Sequence, residues 1–379
     1  MADLSIRNVG IGLASSLLAG AISVSAATGV GASAIRADAP SGSYVYTEGN
    51  QTSDDGGNSI IAFWVAAGGS LTSIGSFATG GDGTGSGLGS QGAITLADGG
   101  HALLAVNAAS NTVSYFRILS NGALWLVDAA PSRGLDPVSV TVDGRWVEVL
   151  NQGSNSVGGL VLTGHALVPS SNPPAALSSL AATPVQIGFT PSGAQVIVTE
   201  KVSSSIDTFN VSADGRLNGL HHIASTGTAP YGFGFSSGGE AIVSDAGGGA
   251  GGTSAATSYR VGAAGFLHPI SEVGESQAAA CWLVVNRSGN RAYLANAGSG
   301  TVSSFNIGPR GRLTLRSAVA ATVGVHPIDE VLGGGWFFVL TTTEIASAPV
   351  VAGGGLGAVN ESAASGLPAA ATGLAIATV

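Results

Sequence analysis

From Tyr44 to the C-terminus the sequence repeats with a period of about 45 residues, and a repeat of that length confines a chain to stacked or ring-shaped architectures. The clearest copy runs Pro184-Val-Gln-Ile-Gly-Phe-Thr-Pro-Ser-Gly193, then Gln195-Val-Ile-Val-Thr-Glu200-Lys201, then Ser205-Ile-Asp-Thr-Phe-Asn-Val211, then Ala213-Asp-Gly-Arg-Leu217. Val185, Ile187 and Phe189 alternate, a β-branched run follows at 196–199, and Pro-Ser-Gly and Asp-Gly mark turns. The unit reads as four short strands joined by tight turns, and no segment has helical period.

Other copies open near Gln91, Pro137, Pro230, Ala280 and Pro327, and Asn107, Asn151, Glu200, Asp245 and Asn296 recur where the second strand ends. The first copy, Tyr44-Val-Tyr-Thr-Glu48, starts at its second strand, whereas Leu367 to Val379 is a strand without a repeat of its own. The tail is therefore expected to complete the first blade. The expected fold is all-β: one domain, 41–379, forming a seven-bladed β-propeller of four-stranded antiparallel blades. Closure leaves no open sheet edge, and a monomer is expected. Sixty glycines suit a turn after nearly every strand, and 45% hydrophobic against 9% charged residues suits sheets covered on both faces.

Residues 1–40 read differently. Val9 to Val24 is apolar and rich in small residues, Arg7 precedes it, and Val24-Ser25-Ala26 is a small-x-small cleavage pattern, with Ala32-Ser33-Ala34 a second. A signal peptide is expected, the alternative being a disordered leader, and the protein is placed outside the cytoplasm, secreted or periplasmic. No other stretch is apolar for long enough to span a membrane. The single cysteine, Cys281, rules out an internal disulfide and is expected to be buried and inert.

In a propeller blade the first-to-second and third-to-fourth turns lie on one face of the disc, and the second-to-third turns and blade-to-blade connections on the other. Arg145, Arg216, Arg287, Arg291, Arg310 and Arg312 fall on the first, here called lower, face. Glu48, Asp54, Asp55, Asp82, Asp136, Glu200, Asp245, Glu272, Glu275, Asp329 and Glu330 fall on the upper, against Arg133 and Lys201. With a net charge of −9, an acidic upper face is expected, which disfavours polyanions. Nucleic acid is excluded as a partner, because Lys201 is the only lysine and no basic stripe is interleaved with aromatics.

Two catalytic strings fail on context. Gly234-Phe-Ser236-Ser-Gly238 has the nucleophile-elbow spacing but occupies a strand-to-strand turn, and Gly87-Leu-Gly89-Ser-Gln-Gly92 precedes a strand where a dinucleotide site needs a helix. Gly247 to Gly252 reads as a long upper loop, and four Asn-x-Ser/Thr strings, at Asn50, Asn210, Asn286 and Asn360, decide nothing. The recurring Asn, Glu and Asp positions could form a cation cage, but they stand one strand away from the axis and can bond their own turns. No organic cofactor is implied; a divalent cation is left open. Glu200 stands apart as a carboxylate followed at once by Lys201, suiting a general base, a ligand contact or a surface ion pair. His101, His221 and His222 lie away from the axis, whereas His326-Pro-Ile-Asp329-Glu330 opens the last blade at the mouth.

The units Phe189-Thr-Pro-Ser-Gly-Ala-Gln-Val-Ile-Val-Thr-Glu-Lys201 and Arg291-Ala-Tyr-Leu-Ala-Asn296-Ala-Gly-Ser-Gly-Thr-Val-Ser-Ser-Phe305 resemble the lactonase family of seven-bladed propellers, which includes 6-phosphogluconolactonases and 3-carboxymuconate cyclases. The resemblance implies a lactone hydrolase or muconate-type cycloisomerase working at the channel mouth. Glu200 falls on the family's glutamate position. The His- or Arg-bearing openings of the catalytic members are replaced by Asp136-Pro137-Val-Ser, Thr183-Pro184-Val-Gln186 and Ala229-Pro230-Tyr231-Gly. Expected catalytic residues are Glu200 and Lys201, with Gln91, Gln186, Asp136, Asp245, His326 and Asp329 as ligand contacts and no metal ligand. The alternative is a non-catalytic propeller that binds a cation, a cationic protein or an envelope component through its acidic face.

Overall fold

The computed structural model describes residues 42–379 apart from 250, 325 and 343, so the expected signal peptide lies outside the described residues. Seven antiparallel sheets follow one another along the chain. Blade 4 shows the plan, with strands Pro184–Phe189, Gln195–Glu200, Ser205–Val211 and Leu217–Ala224 paired in sequence order from the axis outwards.

Closure runs as the repeats predict. Strand Thr372–Thr378 is the innermost of blade 1 and pairs antiparallel with Ser43–Glu48, Tyr44 opposite Ala377 and Tyr46 opposite Ala375. Gly42 and Val379 exchange both backbone hydrogen bonds, at 3.0 and 3.1 Å. Across the seam, Asp329 Oδ2 accepts the Leu374 N–H at 2.9 Å and ties blade 7 to the closing strand.

Blades 3 and 7 depart from the four-strand plan, because two short strands share the outermost position: Leu167–Pro169 with Ala175–Ala176, and Gly355–Leu356 with Asn360–Ser365. In blade 3 the cause is local, since Pro169, Pro173 and Pro174 have no N–H to offer a ladder.

Alternating side chains turn each blade into a two-sided apolar slab, and neighbouring slabs stack face to face. Seven buried clusters result, one per seam: Tyr46 meets Leu103 and Phe116 between blades 1 and 2, and Val45 and Phe63 meet Phe338 and Leu340 at the closure. Each fully buried aromatic or branched side chain contributes about 2 kcal/mol.

Five of the blades open on a non-glycine residue with positive φ: Asp136 (55°), Thr183 (46°), Ala229 (56°), Ala279 (54°) and His326 (50°). This left-handed step swings the chain from one blade's rim to the next blade's inner strand. Its carbonyl is then used: Asp136, Thr183, Ala229 and Ala279 accept the N–H of Gln152, Lys201, Ala246 and Ala297 at 2.8, 3.3, 3.0 and 2.8 Å. The blade opening is thereby bonded to the residue that follows Asn151, Glu200, Asp245 and Asn296.

Candidate functional site at the upper channel mouth

The central channel is crossed by a strap that the repeats do not announce. The blade 1 to blade 2 connection carries Ser90–Gln91–Gly92 over the axis. The Gln91 N–H donates to Val185 O (3.0 Å, blade 4), Gly92 O accepts from Val140 N (2.8 Å, blade 3), and Trp282 Nε1 donates to Ser90 O (2.9 Å, blade 6). The Gln91 side chain pairs with the backbone of Leu283, Nε2 donating at 2.9 Å and Oε1 accepting at 3.1 Å. At Gly232 a Cβ would stand 2.0 Å from Gln91 Oε1, so only glycine lets the strap pass. Replacing Gln91 with Ala strips the Leu283 N–H and carbonyl of partners, and is expected to cost about 2 kcal/mol in urea unfolding. An unchanged midpoint would mean that the strap contributes nothing to stability.

The other expected ligand contacts divide by their partners. Gln186 braces blade 4 to blade 5, with Nε2 donating to Phe233 O at 3.1 Å and Oε1 accepting from Phe233 N at 2.6 Å. Asp245 is buried against Thr257 Oγ1. Asp329 is buried, accepting from Glu330 N (2.8 Å) and Leu374 N (2.9 Å). Asp136 is half-buried, and its carboxyl is shifted upward by that burial; His326 is exposed.

Glu200 and Lys201 point to different places. Glu200 is fully buried, its Oε2 accepting from Ser203 Oγ (2.8 Å) and Ser205 Oγ (2.9 Å). Alternation along Gln195–Glu200 puts Glu200 on the same face as Val196 and Val198, which pack in the seam between blades 3 and 4. Lys201 is half-buried at the mouth, with Nζ 5.4 Å from the Tyr231 ring centroid. No carboxylate ion-pairs with it among the described residues. Burial lowers its pKa, partly offset by the nearby Cys281. Tyr231 in turn packs with Val185, Trp282 and Ala295, with Cys281, Ala297 and Ile328 against them. Cys281 is half-buried rather than fully buried, and desolvation pushes its thiol up to about 12, so it is no nucleophile.

The expected charge separation is much reduced. Of the eleven upper acids, Glu48, Glu200, Asp245, Glu275, Asp329 and Glu330 are at most 3% exposed. For Asp245, at a second-strand end, the cause is the blade-to-blade connection lying over it: at Gly227 a Cβ would come within 2.1 Å of its carboxyl. Asp54, Asp55 and Glu272 remain exposed, while on the lower face Asp98, Asp143 and Asp214 are exposed among Arg145, Arg216, Arg287, Arg310 and Arg312. The lower rim is therefore of mixed sign.

The recurring asparagines bond hydroxyls of their own blades: Asn107 Nδ2 donates to Thr112 Oγ1 and Ser114 Oγ, and Asn296 Nδ2 to Thr301 Oγ1 and Ser303 Oγ, while Asn107 Oδ1 also accepts from Asn58 Nδ2 of blade 1 at 3.0 Å. In the Gly234 to Gly238 turn, Ser236 Oγ bonds Glu240 and accepts from Gly238 N. It is a turn brace.

These features define the class: a closed seven-bladed β-propeller whose channel is strapped on the upper side. No family model and no curated protein matches the sequence. By structure the chain is similar to a provisionally assigned 6-phosphogluconolactonase of Bacteroides fragilis, with TM-score 0.70 and 18% identity, covering 89% of this chain and 98% of that one. It is also similar to the periplasmic gluconolactonase of Pseudomonas aeruginosa, with TM-score 0.67 and 16% identity over 88% and 99%. A functionally unknown protein of Desulfotomaculum acetoxidans matches as well, with TM-score 0.68 and 15% identity over 89% and 99%. The lactonase-type resemblance read from the repeats thus holds for the fold. No helix among the described residues is long and apolar enough to cross a membrane.

Proposed function

We propose that this is an exported propeller of lactonase type that binds a small organic acid or its lactone at the upper mouth. One observation carries the reading: Lys201, the only lysine, holds a half-buried ammonium against Tyr231 with no carboxylate paired to it among the described residues. A partly desolvated cation in an apolar mouth favours an anionic or strongly dipolar oxygen, such as a carboxylate or a lactone carbonyl. Hydrolysis also needs a base beside that cation, and the acids meant for the task are committed elsewhere: Glu200 to Ser203 and Ser205, Asp329 to two backbone N–H groups. Binding without turnover is the consequence.

Calorimetry with gluconate and with neutral sugar lactones tests this. Binding is expected, and Lys201→Met should weaken it at least tenfold while leaving the thermal midpoint within about 2 °C, since its contact with Tyr231 of blade 5 is a cation–π pair at a half-buried position, worth little to stability. Absence of binding across the panel would refute the reading.

A second reading, lactone hydrolysis or muconate-type cycloisomerisation, is favoured by the likeness to the Pseudomonas gluconolactonase; turnover abolished by Lys201→Met would put it in first place. For a cationic protein or envelope partner, Asp54, Asp55 and Glu272 are the exposed acids among the described residues of the eleven expected on that rim.

A further inference from the structure

The hydroxyl-lined sockets at the second-strand ends of blades 2, 4 and 6 are not chemically equivalent. In blades 2 and 6 an asparagine faces hydroxyls five and seven residues on: Asn107 with Thr112 and Ser114, Asn296 with Thr301 and Ser303. In blade 4 the same offsets hold Glu200, Ser205 and Asp207, so the amide and the second hydroxyl have both become carboxyls. Two acids side by side in a buried socket repel each other, and each is 0% exposed. The fourth strand then supplies an imidazole, because His222 pairs with Asp207 across the ladder.

The three groups converge. One ligand atom from each of Glu200, Asp207 and His222 lies within 4.8 Å of the others. His222 Nδ1 is 2.9 Å from Asp207 Oδ1 and 2.8 Å from Ser178 Oγ, and Asp207 Oδ2 accepts the Ser178 N–H at 2.7 Å, which fixes the carboxylate plane. Glu200 is anchored through Oε2; Oε1 is buried without an N–H or hydroxyl donor, and the Glu200 and Asp207 carboxyls lie within hydrogen-bond reach of each other, so a proton shared between them or a cation must offset the pair. A buried acceptor without a donor is costly, and a cation is one means of removing the cost.

We infer that Glu200, Asp207 and His222 form a divalent metal site on the outer part of blade 4, selective for ions of the zinc and manganese type. Two carboxylates and one imidazole nitrogen suit a borderline transition metal better than calcium or magnesium, which take oxygen alone. Ligand atoms about 3 Å apart, as Asp207 Oδ1 and His222 Nδ1 are, match adjacent corners around an ion bound at roughly 2.1 Å. The ligands come from three successive strands, so the ion would pin the outer edge of blade 4. His222, whose side chain is 47% exposed, gives the ion a path from solvent. The site is separate from Lys201 and independent of what binds at the mouth.

Chelator-treated full-length protein titrated with Zn2+ by calorimetry tests the assignment, with Co2+ absorption as the spectroscopic readout. One Zn2+ per chain, a raised thermal midpoint and Co2+ d–d bands are expected. His222→Ala alters a half-exposed side chain and should fold normally; it is expected to weaken Zn2+ binding at least tenfold and abolish the Co2+ bands, and Glu200→Gln should do the same. His221→Ala, the neighbour stacked on Phe266, should leave binding intact. No saturable Zn2+ binding would overturn the inference, as would affinity unchanged by His222→Ala, or lost equally in His221→Ala.

Discussion

Deleting residues 372–379 should abolish the cooperative thermal transition of this protein. The segment is the innermost strand of blade 1, so its loss uncovers the backbone of Ser43–Glu48 and the Tyr44 and Tyr46 rings, both now fully buried. It also removes Ala375 and Ala377 from the seam with blade 2 and Leu374 from the seam with blade 7, and it leaves Asp329 Oδ2 without the Leu374 N–H. Two of the seven seams open at once, and an exposed apolar strand edge invites aggregation. The loss exceeds about 5 kcal/mol, comparable to the whole stability of many domains. Adding a peptide spanning 367–379 in trans should restore a transition in part. A truncated chain that melts as sharply as the intact one, and within a few degrees of it, would show that closure does not depend on the tail.

The second large effect concerns pH. Burial holds Asp245 and Glu148 up at about 8 and Glu275 and Asp329 at about 7, and it pushes Glu48 and Glu330 well above the ordinary carboxylate range. Smaller opposing effects come from Thr257 on Asp245, Arg133 on Glu148, Ser303 on Glu275 and Asn58 on Glu48. In the unfolded chain these groups titrate near 4. Between that value and the raised one, the folded chain keeps protons that the unfolded chain has released, so stability falls as pH rises. The penalty is absent below about pH 4, grows as pH rises between the unfolded and the raised values, and is complete only above the highest of the raised values. The thermal midpoint should therefore be higher at pH 5 than at pH 8.5, by on the order of 10 °C. Proteins whose acids are ion-paired behave in the opposite sense. Asp245→Asn and Glu148→Gln should each flatten the slope, and a midpoint that rises from pH 5 to 8.5 would contradict the assignment of these carboxyls as buried and neutral.

Those buried acids also explain where reading the sequence succeeded and where it stopped. Placing Asp245 or Glu200 at a second-strand end needs only period and alternation, and both stand there. Placing them on an acidic surface assumes that loop residues face water, but here a second layer of chain, the blade-to-blade connection, covers them. Gln91 shows the same limit from another side. It was legible as a residue at the mouth, yet its partner Leu283 lies 192 positions away in a different repeat. His222 lies on the outermost strand of blade 4, away from the axis as its repeat position implies, and its pairing with Asp207 follows from the pleat once the register is known. The missed signal was the coincidence of Glu200, Asp207 and His222 on one sheet face.

The number of blades, their four-strand plan and the circular closure are legible in the chain alone, because period, alternation and turn residues are local properties, repeated until they become unambiguous. Which polar groups meet is settled by how the blades pack. The strap across the axis and the burial of the upper acids depend on contacts between blades, and the distance between residues in neighbouring blades is not encoded in any single repeat.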